Sequence, residues 1–220
     1  MRREKMSPLD ETALAIIQNV GCISFHQLAQ IMQQLNERYN PRVTESFLHR
    51  LEACRDVQIS PDGLYITDGA YGDNKLDRKT IMAISVAMRY IDDPRDYTTL
   101  YKGYGGADLK FYANGTNFGV IINDGTDLAK VAFMEEKYTE FKKRVEKLTI
   151  HDKSDIMDTV QTLLIAYPAQ ATSGQEAKMK KYVEQINALE LTMPHGICFL
   201  KDKDIFNCTD VIGSEPVEAR

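Results

Sequence analysis

The sequence has no excess of positive charge and no apolar run long enough to cross a membrane. Its 220 residues carry 27 Lys and Arg against 32 Asp and Glu, a formal net charge of −5. A chain with this balance has no overall positive field to attract nucleic acid, so any DNA contact must come from a local patch. A membrane span needs about 18 consecutive apolar residues, and the first residues are charged, unlike a secretory signal. We therefore expect a cytoplasmic protein without membrane contact.

The sequence also lacks paired cysteines and the motifs of common catalytic sites. Its four cysteines are scattered, and none forms a Cys-x-x-Cys pair or lies at ligand spacing from a histidine. This argues against zinc and favours buried free thiols in a reducing compartment. The glycine-rich stretch 103–107 lacks the Lys-Ser/Thr of a phosphate-binding loop, and no serine has the flanking glycines of a nucleophile elbow. We expect no cofactor, no bound metal and no enzymatic activity.

What is present begins with three helices. Ser7 is a typical N-cap residue followed by proline, and Gly21 ends the apolar helical repeat that comes next. Ser24 can cap a second helix. The third helix is predicted to begin at the cap Thr44 and to end near Asp56. Its apolar stripe consists of Phe47, Leu48, Leu51 and Cys54.

A hairpin is predicted directly after the third helix. Residues 57–59 and 64–66 alternate in polarity, and the turn between them is Ser60-Pro61-Asp62-Gly63. Proline fixes φ, aspartate favours turns and glycine accepts a positive φ, so this tetrapeptide is a strong turn signal. Three helices and a hairpin over residues 7–67 resemble the winged helix-turn-helix family. In that family the third helix enters the major groove of DNA, and the hairpin, or wing, touches the DNA backbone.

The resemblance implies a DNA-binding surface on the third helix and the wing. Arginine can read guanine, and hydroxyl groups can hold phosphate. Glu45 and Glu52 lie on the same helix and would repel phosphates, so we expect only modest affinity for double-stranded DNA. A protein–protein interaction module is the alternative, because winged helices also serve that purpose. The DNA-binding residues that the resemblance implies are Arg42, Thr44, Ser46, His49, Arg50, Asp62 and Gly63.

A long helix is predicted to begin at Leu76 and to end at Ile91. Its apolar residues cover more than one side, so it either bridges the two halves of the chain or pairs with a second copy in a homodimer. The α/β half is the other candidate surface for a protein partner. The predicted division is a winged-helix domain at 1–75, a connecting helix at 76–94, an α/β domain at 95–213 and a flexible tail at 214–220.

The second half is predicted to form a sheet covered by helices. Strands at 108–113 and 118–122 flank the turn Asn114-Gly115, the best hairpin signal in the chain. Residues 128–133 are interpreted as a third strand. Helices at 135–148 and 175–191 alternate with strands at 162–167, 196–200 and 205–212. The predicted fold class of the whole chain is α+β.

The order of meander, helix, strand and helix is the core order of restriction-endonuclease-like nucleases, which activate water with a metal held by acids on neighbouring strands. The candidate acids are Asp108 and either Asp124 or Asp127, and Glu135-Glu136-Lys137 is the candidate Glu-x-Lys segment. That segment has the pattern of a first helical turn, on which Glu135 and Lys137 diverge. A divergent metal-dependent nuclease is therefore the second alternative.

The chain as a whole resembles the replication-relaxation family of plasmid and mobile-element proteins. The similar segments are 105–109, the apolar strand 118–122 with the acidic turn 123–126, and the helix that carries Lys137-Tyr138. The resemblance implies a winged helix followed by a degenerate, nuclease-like α/β domain. It also implies a role in replication, transfer or regulation of a bacterial mobile element, through DNA or a protein partner.

Overall fold

The structure, a computed structural model, describes residues 6–71, 75–103, 106–123, 125, 128–146, 159–168, 175–200 and 211–213. Within these residues the fold is α+β, with helices and two sheets. The helices are α1 (Pro8–Val20), α2 (Phe25–Leu35), α3 (Pro41–Ala53), α4 (Arg78–Tyr90), α5 (Ala129–Val145) and α6 (Gln175–Asn187), with short 3₁₀ helices at Gly69–Tyr71 and Pro94–Thr99. The strands are β1 (Cys22–Ser24), β2 (Val57–Ile59), β3 (Tyr65–Asp68), β4 (Tyr101–Lys102), β5 (Leu109–Ala113), β6 (Thr116–Ile122), β7 (Thr162–Pro168), β8 (His195–Leu200) and β9 (Val211–Gly213). None of the described helices has the length and apolar character to cross a membrane.

Helices α1 and α2 begin at the predicted caps. Ser7 Oγ accepts a hydrogen bond from the Asp10 N–H at 3.1 Å, and the Asp10 carboxylate accepts one from the Ser7 N–H, which together form a capping box. Ser24 and Gln27 form the same box at the start of α2. Gly21 follows α1 with φ at 76°, a left-handed conformation that glycine adopts without strain. Both helix starts are therefore confirmed.

Helix α3 begins at Pro41, earlier than predicted. Asn40 is its N-cap, and the Asn40 side-chain oxygen accepts a hydrogen bond from the Arg42 N–H at 3.0 Å. Proline suits the first helical position because its missing N–H is not needed there. The prediction that Thr44 caps this helix is wrong, since Thr44 lies inside its first turn. The helix ends at Ala53, short of the predicted end.

The smaller sheet has the strand order β1-β3-β2, and both pairs are antiparallel. Strands β2 and β3 are the predicted hairpin, in which the Ser60 N–H donates to the Tyr65 carbonyl at 2.9 Å. Gly63 has φ at 70°, as the turn signal requires. Strand β1 was not predicted. It is three residues long and is recognisable only through its pairing with β3.

The larger sheet has the order β4-β5-β6-β7-β8-β9. Strands β4 to β6 pair antiparallel, β6 to β8 pair parallel, and β9 is antiparallel to β8. Helices α5 and α6 make the crossovers that parallel strands require. Asn114 and Gly115 have φ at 50° and 80°, the positive values of a tight hairpin turn. The strands predicted at 108–113, 118–122, 162–167 and 196–200 are confirmed, whereas 205–210 and the tail 214–220 lie outside the described residues.

Residues 129–133 belong to a helix and Leu128 is its N-cap, so the predicted third strand is wrong. Helix α5 begins at Ala129, before the predicted start. Val131 and Met134, three residues apart, are buried, and Phe133 is exposed. This pattern of burial has the period of a helix and not that of a strand. The antiparallel meander includes β4 instead, at the edge of the sheet.

Helix α4 lies between the two halves of the chain and bridges them, which is the first of the two predicted alternatives. Gln27 of α2 donates from Nε2 to the Ile81 carbonyl at 2.7 Å and to Ser85 Oγ at 2.9 Å. One cluster of buried apolar side chains runs from α1–α3 through Ile84 of α4 to Val120 on one face of the larger sheet. A second cluster joins the opposite face to α5 and α6.

Candidate nucleic-acid interface

The candidate interface is the face of α3 that points away from the core. Successive residues of an α-helix are rotated by about 100°, so Arg42, Ser46 and His49 fall within an arc of roughly 60°. All three are exposed, as is Arg50 at one edge of the arc, whereas Phe47, Leu48 and Leu51 on the opposite side are buried. Four of the predicted DNA-binding side chains thus form one continuous surface, which we call the α3 surface.

Thr44 does not belong to the α3 surface. Its side chain is fully buried, and its hydroxyl donates to the Tyr39 hydroxyl at 2.9 Å. Burial raises the pKa of Tyr39, so the phenol stays protonated at neutral pH. The prediction that Thr44 faces a DNA groove is therefore wrong. Its hydroxyl instead fixes the first turn of α3 to the loop before it.

The acidic side chains of α3 lie on the edge opposite Arg50. Glu52 Oε1 accepts a hydrogen bond from the Ile59 N–H of β2 at 3.1 Å, and its Oε2 lies 3.6 Å from His49 Nδ1. The first contact ties the helix to the hairpin, and both contacts engage the Glu52 carboxylate. Glu45 is exposed on the same edge. The α3 surface therefore has one acidic and one basic edge.

The tip of the hairpin lies in solvent and is shaped by Asp62. Its Oδ1 accepts hydrogen bonds from the Ser60 hydroxyl at 2.5 Å and from the Leu64 N–H at 3.1 Å. The hydrogen bond from Ser60 lowers the pKa of Asp62. Because this carboxylate is engaged by the turn, Gly63 and the exposed Leu64 are the residues that the tip offers to a ligand.

A second exposed polar surface lies at the edge of the larger sheet and was not predicted. Tyr101 of β4 pairs with Lys110 of β5, and Tyr112 lies two residues further along β5. Opposed residues and residues two apart share a face of a sheet, so these three side chains lie together. The alternation of apolar and polar residues in β5 is the sequence signal that Lys110 and Tyr112 face outward. Tyr101 has no such signal, because β4 is only two residues long.

Asp108, the first candidate metal ligand, is engaged by a cation and a backbone donor. Lys130 Nζ lies 2.7 Å from its Oδ1, and the Ile122 N–H donates to its Oδ2 at 2.8 Å. Asp124 and Asp127 lie outside the described residues. In the part of the chain that the structure describes, no three metal-binding side chains come together.

The candidate Glu-x-Lys segment lies within α5, and its two end residues have different partners. Glu135 accepts hydrogen bonds from the Thr192 and Met193 N–H groups, each at 3.0 Å, and from the Thr192 hydroxyl. Burial alone would raise the pKa of Glu135, but these hydrogen bonds outweigh it and lower the pKa. Lys137 pairs with Glu140 at 2.9 Å, further along the helix. Glu135 thus anchors the loop before β8.

The described cysteines are free thiols. Cys22 and Cys198 are buried, and burial raises the pKa of Cys22 to about 11 and that of Cys198 in the same direction. Both are therefore protonated at neutral pH and are poor nucleophiles. Cys54 is exposed, so the prediction of burial is wrong for that residue. Cys208 lies outside the described residues.

Comparison of the chain with protein-family models finds no match, and comparison with curated proteins finds none either. The resemblance to the replication-relaxation family therefore stays a prediction. The functional argument depends on the geometry of α3, the hairpin and the edge of the larger sheet.

Proposed function

We propose that the chain is a non-enzymatic protein that binds double-stranded DNA through a winged helix, formed by α1–α3 and the smaller sheet. The observation that carries this proposal is the α3 surface, on which Arg42, Ser46, His49 and Arg50 are exposed together beside the β2–β3 hairpin. An α-helix fits the major groove of DNA. Arginine and hydroxyl side chains are the groups that contact base edges and phosphates there.

The link between α3 and the hairpin supports the proposal. The hydrogen bond from the Ile59 N–H to Glu52 joins the last turns of α3 to β2. A recognition helix and a wing act together only when their relative position is fixed, since one contacts the groove and the other the backbone. In this proposal Glu52, although acidic, has a positioning role.

The affinity is modest because the chain is acidic overall and Glu45 lies beside the arginines. Non-specific protein–DNA affinity grows with the number of phosphates that cations neutralise, and the α3 surface offers two arginines. A homodimer that presents two copies of this surface would bind more tightly through effective concentration.

The α/β half serves in this proposal as the degenerate nuclease-like domain of a replication-relaxation protein. Its antiparallel strands followed by two helix crossovers support that likeness. The engaged carboxylate of Asp108 supports a non-catalytic role, because Lys130 and the Ile122 N–H occupy both of its oxygens. The protein then acts in replication, transfer or regulation of a mobile element as an accessory factor.

A second candidate function is a winged helix that binds protein. The observation that favours it is apolar exposure on α3 and the hairpin, since Val43 and Leu64 are 49% and 42% exposed. Apolar groups exposed next to polar ones are typical of protein interfaces. A Val43→Ser substitution separates the two functions, because it removes apolar area without changing charge.

The test is fluorescence anisotropy of a labelled duplex of about 25 base pairs, titrated with the full chain at about 50 to 200 mM salt. We expect Arg42→Ala and Arg50→Ala each to weaken binding roughly tenfold and Val43→Ser to leave it unchanged. Arg89→Ala is the matched control, because Arg89 is an exposed arginine on α4.

Two results would decide against duplex binding through the α3 surface. Absence of binding at the lowest salt contradicts it directly. Equal losses from Arg50→Ala and Arg89→Ala would show that only general charge matters and that the α3 surface has no role. If the chain forms a complex with another protein and Val43→Ser abolishes that complex, the second function is favoured.

A further inference from the structure

Among the residues that the structure describes, one end of the larger sheet is covered on one face only. On the first face, Leu109 and Phe111 of β5 are buried in the core that α4 completes. On the second face, α5 and α6 cover the central strands, where Ile121 and Leu163 are buried. The same face of β4 and β5 stays exposed. We call this uncovered area the sheet-end surface.

Two tyrosines and a lysine project from the sheet-end surface. Tyr101 and Tyr112 are 51% and 40% exposed. Tyr101 is directly opposite Lys110, and Tyr112 is the diagonal neighbour of Tyr101, at a separation of roughly 7 to 8 Å between backbones. This arrangement places a lysine beside two exposed aromatic rings. It is well suited to flat ligands with negative charge.

Basic grooves adjoin the sheet-end surface. One, of about 590 Å³, includes Tyr101, Tyr112 and Lys110 in its wall, and a second, of about 810 Å³, opens at the start of α4. Gln18, Asn19 and Lys102 belong to both walls, so the two grooves meet between α1 and the edge strand β4. The cations of the second groove are Lys75, Arg78, Lys79 and Lys102.

The acidic side chains of these grooves are already engaged. Asp77 Oδ2 pairs with Lys102 Nζ at 2.9 Å, and its Oδ1 caps α4 by accepting from the Thr80 N–H at 3.1 Å. The Asp68 carboxylate is buried and accepts from the Ala70 N–H at 3.2 Å. By contrast, Lys75, Arg78, Lys79 and Lys110 have no ion pair with any described residue. The free charge of the grooves is therefore positive, although the chain is acidic.

We infer that the sheet-end surface and its grooves bind single-stranded nucleic acid, with bases stacked on Tyr101 and Tyr112 and phosphates held by Lys110, Lys79 and Arg78. Unpaired bases stack on exposed aromatic rings without regard to sequence, while a basic groove follows the backbone. This surface is separate from the α3 surface, and the inference does not depend on duplex binding.

The arrangement favours a single strand over a duplex or a small anion. In a duplex the bases are stacked on each other and their faces are not available to the tyrosines. A small anion needs one pocket of converging donors, whereas these cations are spread along two adjoining grooves. The 2′-hydroxyl distinguishes RNA from DNA, and the described groups do not select either sugar, so DNA and RNA strands are both tested.

The experiment is fluorescence anisotropy of labelled oligo(dT) and oligo(rU), each of about 20 nucleotides, with the full chain at about 50 mM salt. Tyr101→Ala and Tyr112→Ala should each weaken binding about tenfold, because each removes one stacking partner. The matched control is the Tyr101→Phe, Tyr112→Phe pair, which keeps both rings and should retain affinity. Lys79→Gln should lower the salt slope by about 0.7.

The outcomes are distinct from those of duplex binding. Arg42→Ala should leave single-strand affinity unchanged, so failure of either proposal can be recognised separately. Absence of binding at low salt, or an alanine pair that binds as tightly as the phenylalanine pair, would overturn the inference. The protein could instead self-associate without binding a single strand, and the alanine pair could abolish that self-association. This result would assign the sheet-end surface to contact with a second copy and would also overturn the inference. Unchanged thermal unfolding of each variant shows that the fold is intact.

Discussion

The α3 surface and the sheet-end surface differ in how they obtain positive charge. On α3, Arg42 and Arg50 lie beside the acids Glu45 and Glu52, and only the second acid is engaged by the hairpin. At the sheet end, both acids of the grooves are engaged within the chain, and the groove cations other than Lys102 have no ion pair with any described residue. An acidic protein can thus present positive surfaces when the neighbouring carboxylates are engaged in hydrogen bonds or ion pairs within the chain. The helix suits the groove of a duplex, and the flat aromatic face suits unpaired bases.

The largest expected effect tests whether both surfaces belong to one folded unit. Gln27 is buried, and its side chain donates to α4 at Ile81 and Ser85. Gln27→Ala should lower the free energy of unfolding by about 2 to 3 kcal/mol, because buried polar groups lose their partners. Denaturant unfolding should still show one transition, and Gln33→Ala, at an exposed position of α2, should change stability by less than about 0.5 kcal/mol. Two separate transitions would show that the surfaces are on independent units.

The next prediction separates two hydroxyl residues of α3. Thr44→Val should lower the free energy of unfolding by about 1 to 2 kcal/mol, since the buried Tyr39 hydroxyl loses its partner. DNA affinity at a temperature where the variant is folded should not change. Ser46→Ala should do the reverse, with unchanged stability and weaker duplex binding. Weaker duplex binding by folded Thr44→Val would contradict the assignment of Thr44 to the interior.

A smaller effect of opposite sign is expected at the acidic edge. Glu45→Gln removes a negative charge from the α3 surface and should strengthen duplex binding about threefold, an effect that shrinks as salt rises. Single-strand affinity should stay the same. Glu136→Gln, at an exposed position of α5, is the matched control. If both substitutions strengthen duplex binding equally, net charge alone controls affinity.

The smallest expected effect concerns the ion pair that joins β4 to α4. Burial tends to raise the pKa of Asp77, but hydrogen bonds from Lys102 and Thr80 outweigh it and hold the pKa below its usual 3.8. The stabilisation is therefore complete above the unfolded pKa and is lost as pH falls through the folded pKa. Asp77→Asn keeps the helix cap and removes only the charge. Its Tm should be slightly below that of the unchanged protein at pH 6, and the difference should shrink as pH falls below 3.8 and through the lowered folded pKa of Asp77.

The sequence predicts the parts of the fold that short-range chemistry determines. Ser7, Ser24 and the Asn114-Gly115 turn each act through hydrogen bonds or backbone conformations within a few residues, and each lies where predicted. The start of α3 was misplaced because two residues that can cap a helix occur close together. Asn40 followed by proline is the stronger signal of the two.

The errors and omissions concern features that distant contacts determine. The apolar run 128–133 fits a strand or a helix equally well, and packing against the sheet decides for the helix. Strands β1 and β4 are too short to have a period of their own. The sheet-end surface depends on the register of β4 against β5, which brings Tyr101 opposite Lys110. Its side chains therefore cannot be grouped from the sequence alone.

The most direct test of the account is a crossed binding measurement. The Arg42→Ala, Arg50→Ala pair and the Tyr101→Ala, Tyr112→Ala pair are each titrated against labelled duplex and labelled single strand under identical salt conditions. The account predicts that the first pair loses duplex affinity alone and the second pair loses single-strand affinity alone. Loss of both affinities in either folded variant, or of neither, would contradict the existence of two separate nucleic-acid surfaces.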